Sequence, residues 1–593
     1  MEFSLSDYIN MDKNRMHGRK NMRFDKKIKI AVLGSFTLNG FKETLNVKCK
    51  NAGIKASFYI GDYRQYANEL IDKKSRLYGF RPDITFLLID VKSVLGELFF
   101  NPYGVSANKR MKLVKANYAK LNSLIIGFLK YGSGILVTNN FEVPAYSPMG
   151  ILESRERFGY FEMIKELNAR ISRFNSHNSI FVFDYDSFAS SLGKNNITDE
   201  KLAYLADMKI SPDTIPLLCE EYMRYVRALS GLSRKCIVLD MDNTLWGGIV
   251  GEDGLEGIRL GPEPPGNAYM EFQKYLLALF ERGVILAANS SNNAEDVLKV
   301  LRKHPYEVLR ERHFASLKIN WENKVKNLVE IAKDINIGLD SMIFLEDDKR
   351  IRGLVKAALP QVLCPDMPED PSSYPGFLKG IKELDTLQFT LEDKKRSARY
   401  VAERSRKELA GAFKSIPEYL KQLSITVEIG PVDKFSIPRI AQLTTRTNQF
   451  NFSSKRYQEK EIEGLARDKR YGVYYVSAKD KFGDYGITGA IIARKNKHEW
   501  LVDNLLLSCR ILGRKIEEAV LVDIMRRAER EKAAALRVVL TKTEKNMPVF
   551  NFLKNHDLIP ENFARKNALV TIYERDKKPG LEGHIKHIKV VSK

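Results

Sequence analysis

The sequence lacks several features that would place a protein in a specialised class. No apolar run approaches the roughly 18 residues that a membrane span needs, and the opening segment is polar and basic, without the apolar stretch of a secretory signal. The five cysteines are widely scattered and odd in number, which argues against a disulfide framework or a zinc pattern. These absences predict a cytoplasmic protein that works away from the membrane.

The charge balance is strongly basic. The 593 residues include 96 Lys and Arg against 74 Asp and Glu, a net charge of +22. Such an excess attracts nucleic acid, anionic lipid or acidic partners, or it is simply spread over a solvated surface. No zinc finger, RNP sequence or basic zipper accompanies the charge, so nothing supports a nucleic-acid role. Acidic partners, including phosphorylated metabolites and carrier proteins, remain open.

The pattern of apolar segments predicts a multidomain α/β protein. Buried strands alternate with helices over two successive stretches, which indicates two parallel α/β domains. A highly charged helical stretch follows, and then alternating segments that predict an antiparallel sheet with a helix. The predicted boundaries are a basic tail at 1–26, α/β domains at 27–228 and 229–385, a helical connector at 386–424, and an α+β domain at 425–593.

Two acidic residues follow the first strand of the second α/β domain. Asp240 and Asp242 are one residue apart directly after the apolar segment CIVL. At the end of a strand, both side chains can enter the same site, where one acts as a carboxylate nucleophile and the other protonates a leaving oxygen. Alone, this string is weak, because acids often merely cap turns.

Further residues suited to phosphoryl transfer follow the two aspartates along the chain. Ser290 ends the next strand and can donate to a phosphate oxygen, and Lys324 can neutralise phosphate charge. After a later strand, Glu346 and Asp347 (followed by Asp348) supply the hard oxygen ligands that suit Mg²⁺. Together these residues provide a nucleophile, a phosphate donor, a cation and a metal site. The combination predicts phosphoryl transfer.

This order of motifs resembles the haloacid dehalogenase (HAD) superfamily, with Asp240, Ser290, Lys324 and Asp347 in its four motifs. The segments DMDNTLWGGIVGEDG, INWENK, LEDKKRSARYVAERSR and TRTNQFNFSSKRY resemble the FkbH-like family over nearly the whole chain. The resemblance implies an enzyme with an SGNH-like N-terminal domain, a HAD-like phosphatase domain and a GNAT-like acyltransferase domain.

The resemblance also implies a mechanism. Asp240 attacks phosphorus, and Asp242 acts as general acid and then as general base. Mg²⁺ is held by Asp240, the backbone carbonyl of Asp242 and the acids at Glu346 and Asp347. Relatives of this type take a glyceryl unit from 1,3-bisphosphoglycerate, remove phosphate and load the acyl group on an acyl carrier protein. The expected partners are therefore a phosphorylated three-carbon metabolite and an acyl carrier protein.

The chain departs from the family pattern at several positions. Where the family has a cysteine that can carry the acyl thioester, this chain has Asn289, and Ser291 stands where lysine is common. Glu346 replaces an aspartate, which still leaves a carboxylate ligand. Cys236 is close to the nucleophile but lies inside an apolar strand, where a buried and inert thiol is expected. Dephosphorylation is therefore a firmer expectation than acyl transfer.

The N-terminal domain is expected to be a scaffold. Gly34-Ser35 lies where an SGNH-type nucleophile would be, but no histidine follows an aspartate at the usual spacing to serve as its base. Asn139 and Asn140 end a strand, where they either bind an oxyanion or turn the chain.

In the C-terminal domain, Arg510, Gly513 and Arg514 precede a helix whose amides can receive a pyrophosphate. Phosphopantetheine or coenzyme A would suit this site, with Asn448 in the same cleft.

Three functions follow as hypotheses. The first is a Mg²⁺-dependent phosphatase and glyceryl transferase that acts with an acyl carrier protein. The second is a plain phosphomonoesterase without acyl transfer, which Asn289 favours. The third is a non-catalytic protein that uses its basic surface to bind a carrier protein, with salt-sensitive binding that does not depend on Asp240.

Overall fold

The chain divides into two compact units in the computed structural model, which describes residues 3–15, 26–387, 396–411, 413, 415–447, 449–496, 498–543, 546–560, 563, 567–574 and 580–593. The first unit comprises Met1–Lys235 and Gly376–Thr390, and the second comprises Cys236–Pro375 and Leu391–Lys593. Within the described residues, no helix has both the length and the apolar character that a membrane crossing requires.

The first unit alternates strands with helices. Its strands are β1 Lys26–Gly34, β2 Ile54–Ile60, β3 Ile84–Leu88, β4 Ile135–Asn139 and β5 Ile180–Phe183. Its helices are α1 Leu5–Arg15, α2 Phe41–Asn51, α3 Tyr66–Ile71, α4 Arg76–Phe80, α5 Val91–Leu95, α6 Glu97–Phe100, α7 Ala107–Tyr131, α8 Tyr160–Ile171, α9 Tyr185–Leu192, α10 Glu200–Ala206 and α11 Thr214–Leu229.

These five strands form one parallel sheet in the order β2-β1-β3-β4-β5. Successive side chains of a strand point to opposite faces, so the apolar residues of β1 feed two cores. Ile30 and Val32 belong to one core, whereas Ala31 and Leu33 belong to the other. Burial on both faces explains why these strands are continuous apolar runs, as is typical of parallel sheets.

The second unit begins with a smaller parallel sheet. Its strands are β6 Cys236–Leu239, β7 Ile285–Ser290, β8 Phe314–Ile319 and β9 Met342–Leu345, in the order β8-β7-β6-β9. Its helices are α12 Val250–Gly257, α13 Gly266–Glu281, α14 Ala294–Lys303, α15 Lys324–Asp334 and α16 Lys349–Ala358. Helix α17, Tyr374–Lys379, follows. Because all four strands are parallel, the loops after them meet at one edge of the sheet.

A second, mixed sheet fills the rest of this unit. Its order is β16-β15-β14-β13-β12-β10-β17, with β11 paired to β14. The strands are β10 Thr426–Pro431, β11 Phe450–Asn451, β12 Tyr471–Asp480, β13 Gly483–Lys495, β14 Glu499–Leu507, β15 Ala535–Thr541, β16 Asn567–Glu574 and β17 Lys589–Ser592. The helices are α18 Arg396–Gly411, α19 Ile416–Gln422, α20 Ile437–Arg446, α21 Glu459–Arg467, α22 Ile516–Arg530 and α23 Met547–Asn555.

Helix α18 contacts both sheets of the second unit. The guanidinium of Arg404 donates to the carbonyl oxygen of Phe314 in β8 at 3.0 Å. Two residues further on, Arg406 forms an ion pair with Asp480 at the end of β12, with a shortest distance of 2.6 Å. Both side chains of this pair are buried. The helix therefore binds the small parallel sheet and the mixed sheet with consecutive parts of its length.

The predicted multidomain α/β class is confirmed by this architecture. The compact units do not follow the predicted domain boundaries, which stay predictions: the first unit ends at Lys235, and the two sheets after it share one unit. Helix α1 lies within the predicted basic tail, and α18 and α19 lie within the predicted connector.

Candidate active site

The predicted chemical residues meet at the carboxyl edge of the small parallel sheet. Asp240 follows β6, Ser290 ends β7, and Glu346 follows β9. Lys324 begins α15, which follows β8 after a short loop. Because β6 is flanked directly by β7 and β9, the strand order places Asp240 between Ser290 and Glu346.

Lys324 lies between two buried carboxylates. Its Nζ atom is 2.9 Å from Asp240 Oδ2 and 2.7 Å from Glu346 Oε2. The exposed fraction of the side chain is 8% for Lys324, 8% for Asp240 and 1% for Glu346. Oxygens of Asp240, Glu346 and Asp347 all lie within 4.8 Å of one another. In an environment this dry, the attraction and repulsion among these charges are much stronger than on the surface.

The electrostatics follow from this crowding. Burial, and then the charge of Asp240, raise the pKa of Asp347 to about 6 and also raise the pKa of Glu346. Burial disfavours the ammonium of Lys324, but Asp240 and Glu346 outweigh it and raise the pKa of the lysine. The carboxylates thus keep Lys324 positively charged, as a residue that neutralises phosphate must be.

Asp242 and Ser290 are joined by Asn292, a residue that the sequence did not single out. The Nδ2 atom of Asn292 donates to Asp242 Oδ2 at 2.8 Å and to Ser290 Oγ at 3.0 Å. The other oxygen of Asp242 accepts from the indole N–H of Trp246 at 2.8 Å and from the backbone N–H of Val250 at 3.1 Å. Three donors therefore hold the Asp242 carboxylate in place.

Arg352 fixes the backbone of the acidic loop after β9. This buried guanidinium donates to the carbonyl oxygens of Glu346, at 2.9 Å, and Asp347, at 2.6 Å. Asp348 has another task, because it caps α16 by accepting from the backbone N–H of Arg350 at 2.7 Å. The guanidinium of Arg350, which donates to Asp348 Oδ2 at 2.8 Å, and then the capping bond lower the pKa of Asp348 to about 2.

The acidic cluster fits a divalent cation. Asp240 Oδ1 is buried and has no hydrogen-bond partner among the described residues. The cluster contains three acids and one lysine, whose ammonium contacts Asp240 and Glu346, so the acids outnumber the cation. Carboxylate oxygens are the hard ligands that Mg²⁺ prefers. Asp240, Glu346 and Asp347 can therefore hold such an ion, whereas the carboxylate of Asp242 lies outside this group.

Asn289 and Cys236, which bear on the thioester question, are both completely buried. Asn289 donates to the carbonyl oxygen of Lys324 at 2.9 Å and accepts from Asn327 at 3.0 Å. Burial raises the pKa of the Cys236 thiol, which favours an unreactive, protonated form.

The predicted arm-binding residues of the C-terminal domain make internal contacts. The guanidinium of Arg514 is buried and donates to both oxygens of Glu403 in α18, at 2.7 and 2.9 Å. The backbone N–H of Gly513, whose φ is +76°, donates to Glu517 at 2.6 Å. Arg510 donates to the hydroxyl of Ser508 at 3.2 Å.

Asn448 lies outside the described residues.

In the first unit, Ser35 is paired with an acid. Its buried hydroxyl donates to Asp90 Oδ2 at 2.7 Å. The side chain of Asn139 satisfies the backbone N–H and C=O of Ile89, each at 2.9 Å, and Asn140 donates to Asp184 at 2.7 Å. Each of these polar side chains has a hydrogen-bond partner within the first unit, and its role as a scaffold stays a prediction.

Sequence reasoning missed three residues that shape the site: Asn292, Trp246 and Asn327. The only local signal was the polar run NSSNN at the end of β7, which is longer than a turn needs. Trp246 gave none, because a buried aromatic residue is usually part of a core.

The small parallel sheet thus belongs to an α/β domain with a carboxylate pair, a hydroxyl, a buried lysine and an acidic cluster at its carboxyl edge. The chain resembles the solved N-terminal part of a protein from Bacteroides fragilis, which contains a phosphatase domain complexed with Mg. The identity is 26%, the match covers 65% of this chain and 100% of that chain, and the TM-score is 0.58. These findings support a HAD-type phosphatase.

Residues 29–227, about a third of the chain, match the family described as FkbH, N-terminal domain. No curated protein matches the chain.

Two solved acetyltransferase structures show a weaker likeness. The ribosomal-protein-S18-alanine N-acetyltransferase of Escherichia coli has 12% identity, covers 24% of this chain and 91% of its own, and has a TM-score of 0.19. A GNAT family acetyltransferase from Elizabethkingia anophelis with acetyl-CoA bound has 14% identity and a TM-score of 0.18. The match covers 24% of this chain and 96% of that chain.

Proposed function

We propose that the chain is a Mg²⁺-dependent HAD-type phosphatase that removes phosphate from a three-carbon phosphoacyl group, derived from 1,3-bisphosphoglycerate and loaded on an acyl carrier protein. The observation that carries this proposal is the contact of Lys324 with both Asp240 and Glu346 in a buried acidic cluster. A surface lysine would gain little from such contacts, whereas a phosphoryl-transfer site needs a buried cation beside its nucleophile.

The residues divide the work as follows. A carboxylate oxygen of Asp240 attacks phosphorus, the bond from phosphorus to the leaving oxygen breaks, and Asp242 gives its proton to that oxygen. Water then attacks the aspartyl-phosphate while Asp242 takes a proton from it, which releases inorganic phosphate and restores Asp240. Ser290 and Lys324 bind the phosphate oxygens, and Asn292 orients both Asp242 and Ser290.

Asp240, Glu346 and Asp347 are the side chains that would hold Mg²⁺. When bound, this ion lowers the repulsion between the anionic nucleophile and the anionic phosphate. The partnerless Oδ1 atom of Asp240 supports the assignment.

A plain phosphomonoesterase without acyl transfer is the second candidate, and a specific observation favours it. A thioester on the chain itself needs an accessible thiol. The cysteines Cys49, Cys219, Cys236 and Cys364 are all buried, and both polar atoms of Asn289 are used in hydrogen bonds. In the proposed loading reaction, the thiol on the carrier protein's arm therefore attacks the acyl carbon of 1,3-bisphosphoglycerate directly and expels the phosphate of the acyl phosphate. The acyl group does not rest on any of these side chains.

Phosphopantetheine or coenzyme A at the start of α22 remains a proposal for the C-terminal domain. Binding of such a ligand would have to replace two internal contacts, because its phosphate would need the same donors. These are the contacts of Arg514 with Glu403 and of Gly513 with Glu517.

The test measures phosphate release and the intact mass of a phosphopantetheinylated acyl carrier protein, with 1,3-bisphosphoglycerate and Mg²⁺ present. We expect a mass gain equal to a glyceryl group. Chelation should leave the heavier phosphoglyceryl group on the carrier protein, and Mg²⁺ should restore the loss of its phosphate. Asp240→Asn should lower the rate of that loss at least about 1,000-fold, because the nucleophile is lost.

The outcomes separate the three functions. Phosphate release that depends on Asp240 without any gain in mass leaves the plain phosphomonoesterase. Carrier-protein binding without phosphate release, unchanged in Asp240→Asn, would reject catalysis and support a binding protein. The control variant is Asp348→Asn, whose side chain caps α16 outside the acidic cluster and should change the rate only slightly.

A further inference from the structure

The residue directly before Ser290 faces away from it. Successive residues of a strand point to opposite faces, so Asn289 in β7 is directed toward α15, whereas the hydroxyl of Ser290 accepts from Asn292. Its side chain is completely buried. A buried amide without partners would be costly, and both polar atoms of Asn289 are in fact bonded.

Those bonds reach the residue that carries the cation. Asn289 Nδ2 donates to the backbone carbonyl oxygen of Lys324 at 2.9 Å. Asn327, one turn further along α15, donates from its own Nδ2 to Asn289 Oδ1 at 3.0 Å and to Asn320 Oδ1 at 2.9 Å. Asn327 is as fully buried as Asn289. The first turn of α15 is therefore bonded on its buried side to β7.

The position of this turn matters because a lysine side chain has four rotatable bonds, and fixing all of them costs conformational entropy. Its Nζ atom contacts Asp240 and Glu346 together from the backbone position that the bond to Asn289 holds. Asn323 adds to this fixation from the exposed side, since its side chain accepts from the backbone N–H of Val325 at 2.7 Å and caps the helix.

We propose that Asn289 and Asn327 are positioning residues for Lys324: their paired amides tie the start of α15 to β7 so that the ammonium stays on both Asp240 and Glu346. The proposal rests on the proposed phosphatase function, because only there does the place of Lys324 affect a rate. It gives the amide at position 289 a task that a thiol there would perform poorly, since S–H is a weak donor and sulfur a weak acceptor.

The experiment is a double-mutant cycle on phosphate release with Asn289→Ala, Lys324→Met and the double variant. Asn289→Ala should lower kcat/KM about 100-fold, because a displacement of about 1 Å at a reacting group has an effect of that order. In the Lys324→Met background, the same change should alter the rate by less than about 2-fold, because the residue it positions is gone. Independent, multiplying effects in the cycle would overturn the proposal.

A second variant and a control distinguish a specific loss of activity from a general loss of folding. Asn327→Leu keeps the volume of the side chain but removes both donated bonds, so it should reproduce most of the loss. Asn504→Ala removes an equally buried amide from β14, which bonds to the backbone of Ser453 and Lys455. It should destabilise the fold and leave kcat/KM near that of the wild type. An equal loss of activity in Asn504→Ala would reject a specific role for Asn289.

A structural readout separates this proposal from the proposed function. If the wild type shows no phosphate release dependent on Asp240, the proposed function fails, and crystal structures of the wild type and Asn289→Ala decide the positioning role. We expect Lys324 Nζ to leave at least one of its two carboxylates in the variant. Retention of both contacts, at 2.9 and 2.7 Å, would overturn the proposal.

Discussion

At the scale of single residues, Lys324 makes the site possible. Asp240 and Glu346 would repel each other in a buried environment, and the ammonium between them offsets that repulsion. Removing one member of such a buried network leaves uncompensated charge, which is costly. The same lysine can therefore contribute to stability when the site is empty and to catalysis when phosphate is bound.

Glu307 provides a residue-scale prediction about pH. It is 4% exposed, and its Oε2 atom accepts from Gln273 at 3.1 Å. Burial raises the pKa of Glu307 from 4.5 to about 8, so the folded protein keeps a proton that the unfolded chain has already released. The free energy of unfolding should therefore fall as the pH rises from about 4.5 to about 8, by about 1.4 kcal/mol per pH unit.

Urea unfolding of the wild type and Glu307→Gln at several pH values checks this expectation. The variant cannot ionise, so it should gain stability relative to the wild type across that window and keep a constant advantage above it. Glu582→Gln, at an exposed residue that pairs with Arg526, is the control and should follow the wild type. Parallel curves for the wild type and Glu307→Gln would contradict the assignment.

At the scale of secondary-structure elements, α18 is the element that contacts both sheets of the second unit. Its Arg406 and Asp480 form a buried ion pair, with exposed side-chain fractions of 3% and 0%. The guanidinium also lies over the ring of Tyr485, 4.3 Å from its centroid. A charged helix of this kind looks like a solvated connector in the sequence, but its charges are used as fixed contacts.

Arg406→Met should lower the free energy of unfolding by about 3 kcal/mol, because it leaves Asp480 buried without its cation. Thermal unfolding followed by circular dichroism measures the loss. Arg467→Met removes an exposed pair with Glu463 on α21 and should cost about 0.5 kcal/mol or less. Equal effects of the two substitutions would show that the Arg406 pair is not a structural anchor.

At the scale of the whole molecule, the net charge of +22 favours encounter with acidic partners. The proposed carrier-protein reaction should therefore slow several-fold as the salt concentration rises from about 50 to about 300 mM, because screening shortens the reach of surface charge. Release of phosphate from a small phosphomonoester should change much less, since the reacting groups are buried. Steady-state rates with both substrates test this difference, and an identical salt response would exclude electrostatic steering of the carrier protein.

Much of the fold was predictable from the sequence, because parallel strands that are buried on both faces have continuous apolar sequences. The strands that carry Asp240, Ser290 and Glu346 were found in this way, and Lys324 was found from its motif. The extents of the compact units could not be predicted from the sequence, since a boundary depends on which elements pack together rather than on local composition. Helix α1, in a stretch predicted to be a tail, shows the same limit.

The chemical groups of the site and their order along the chain can be read from local features, because strand ends and the residues after them are visible in the sequence. Which of those groups touch depends on how the strands pack in three dimensions. The contact of Lys324 with Asp240 and Glu346, and the amide pair of Asn289 and Asn327, depend on the strand order β8-β7-β6-β9. That order results from packing between residues distant in sequence, so no local pattern records it.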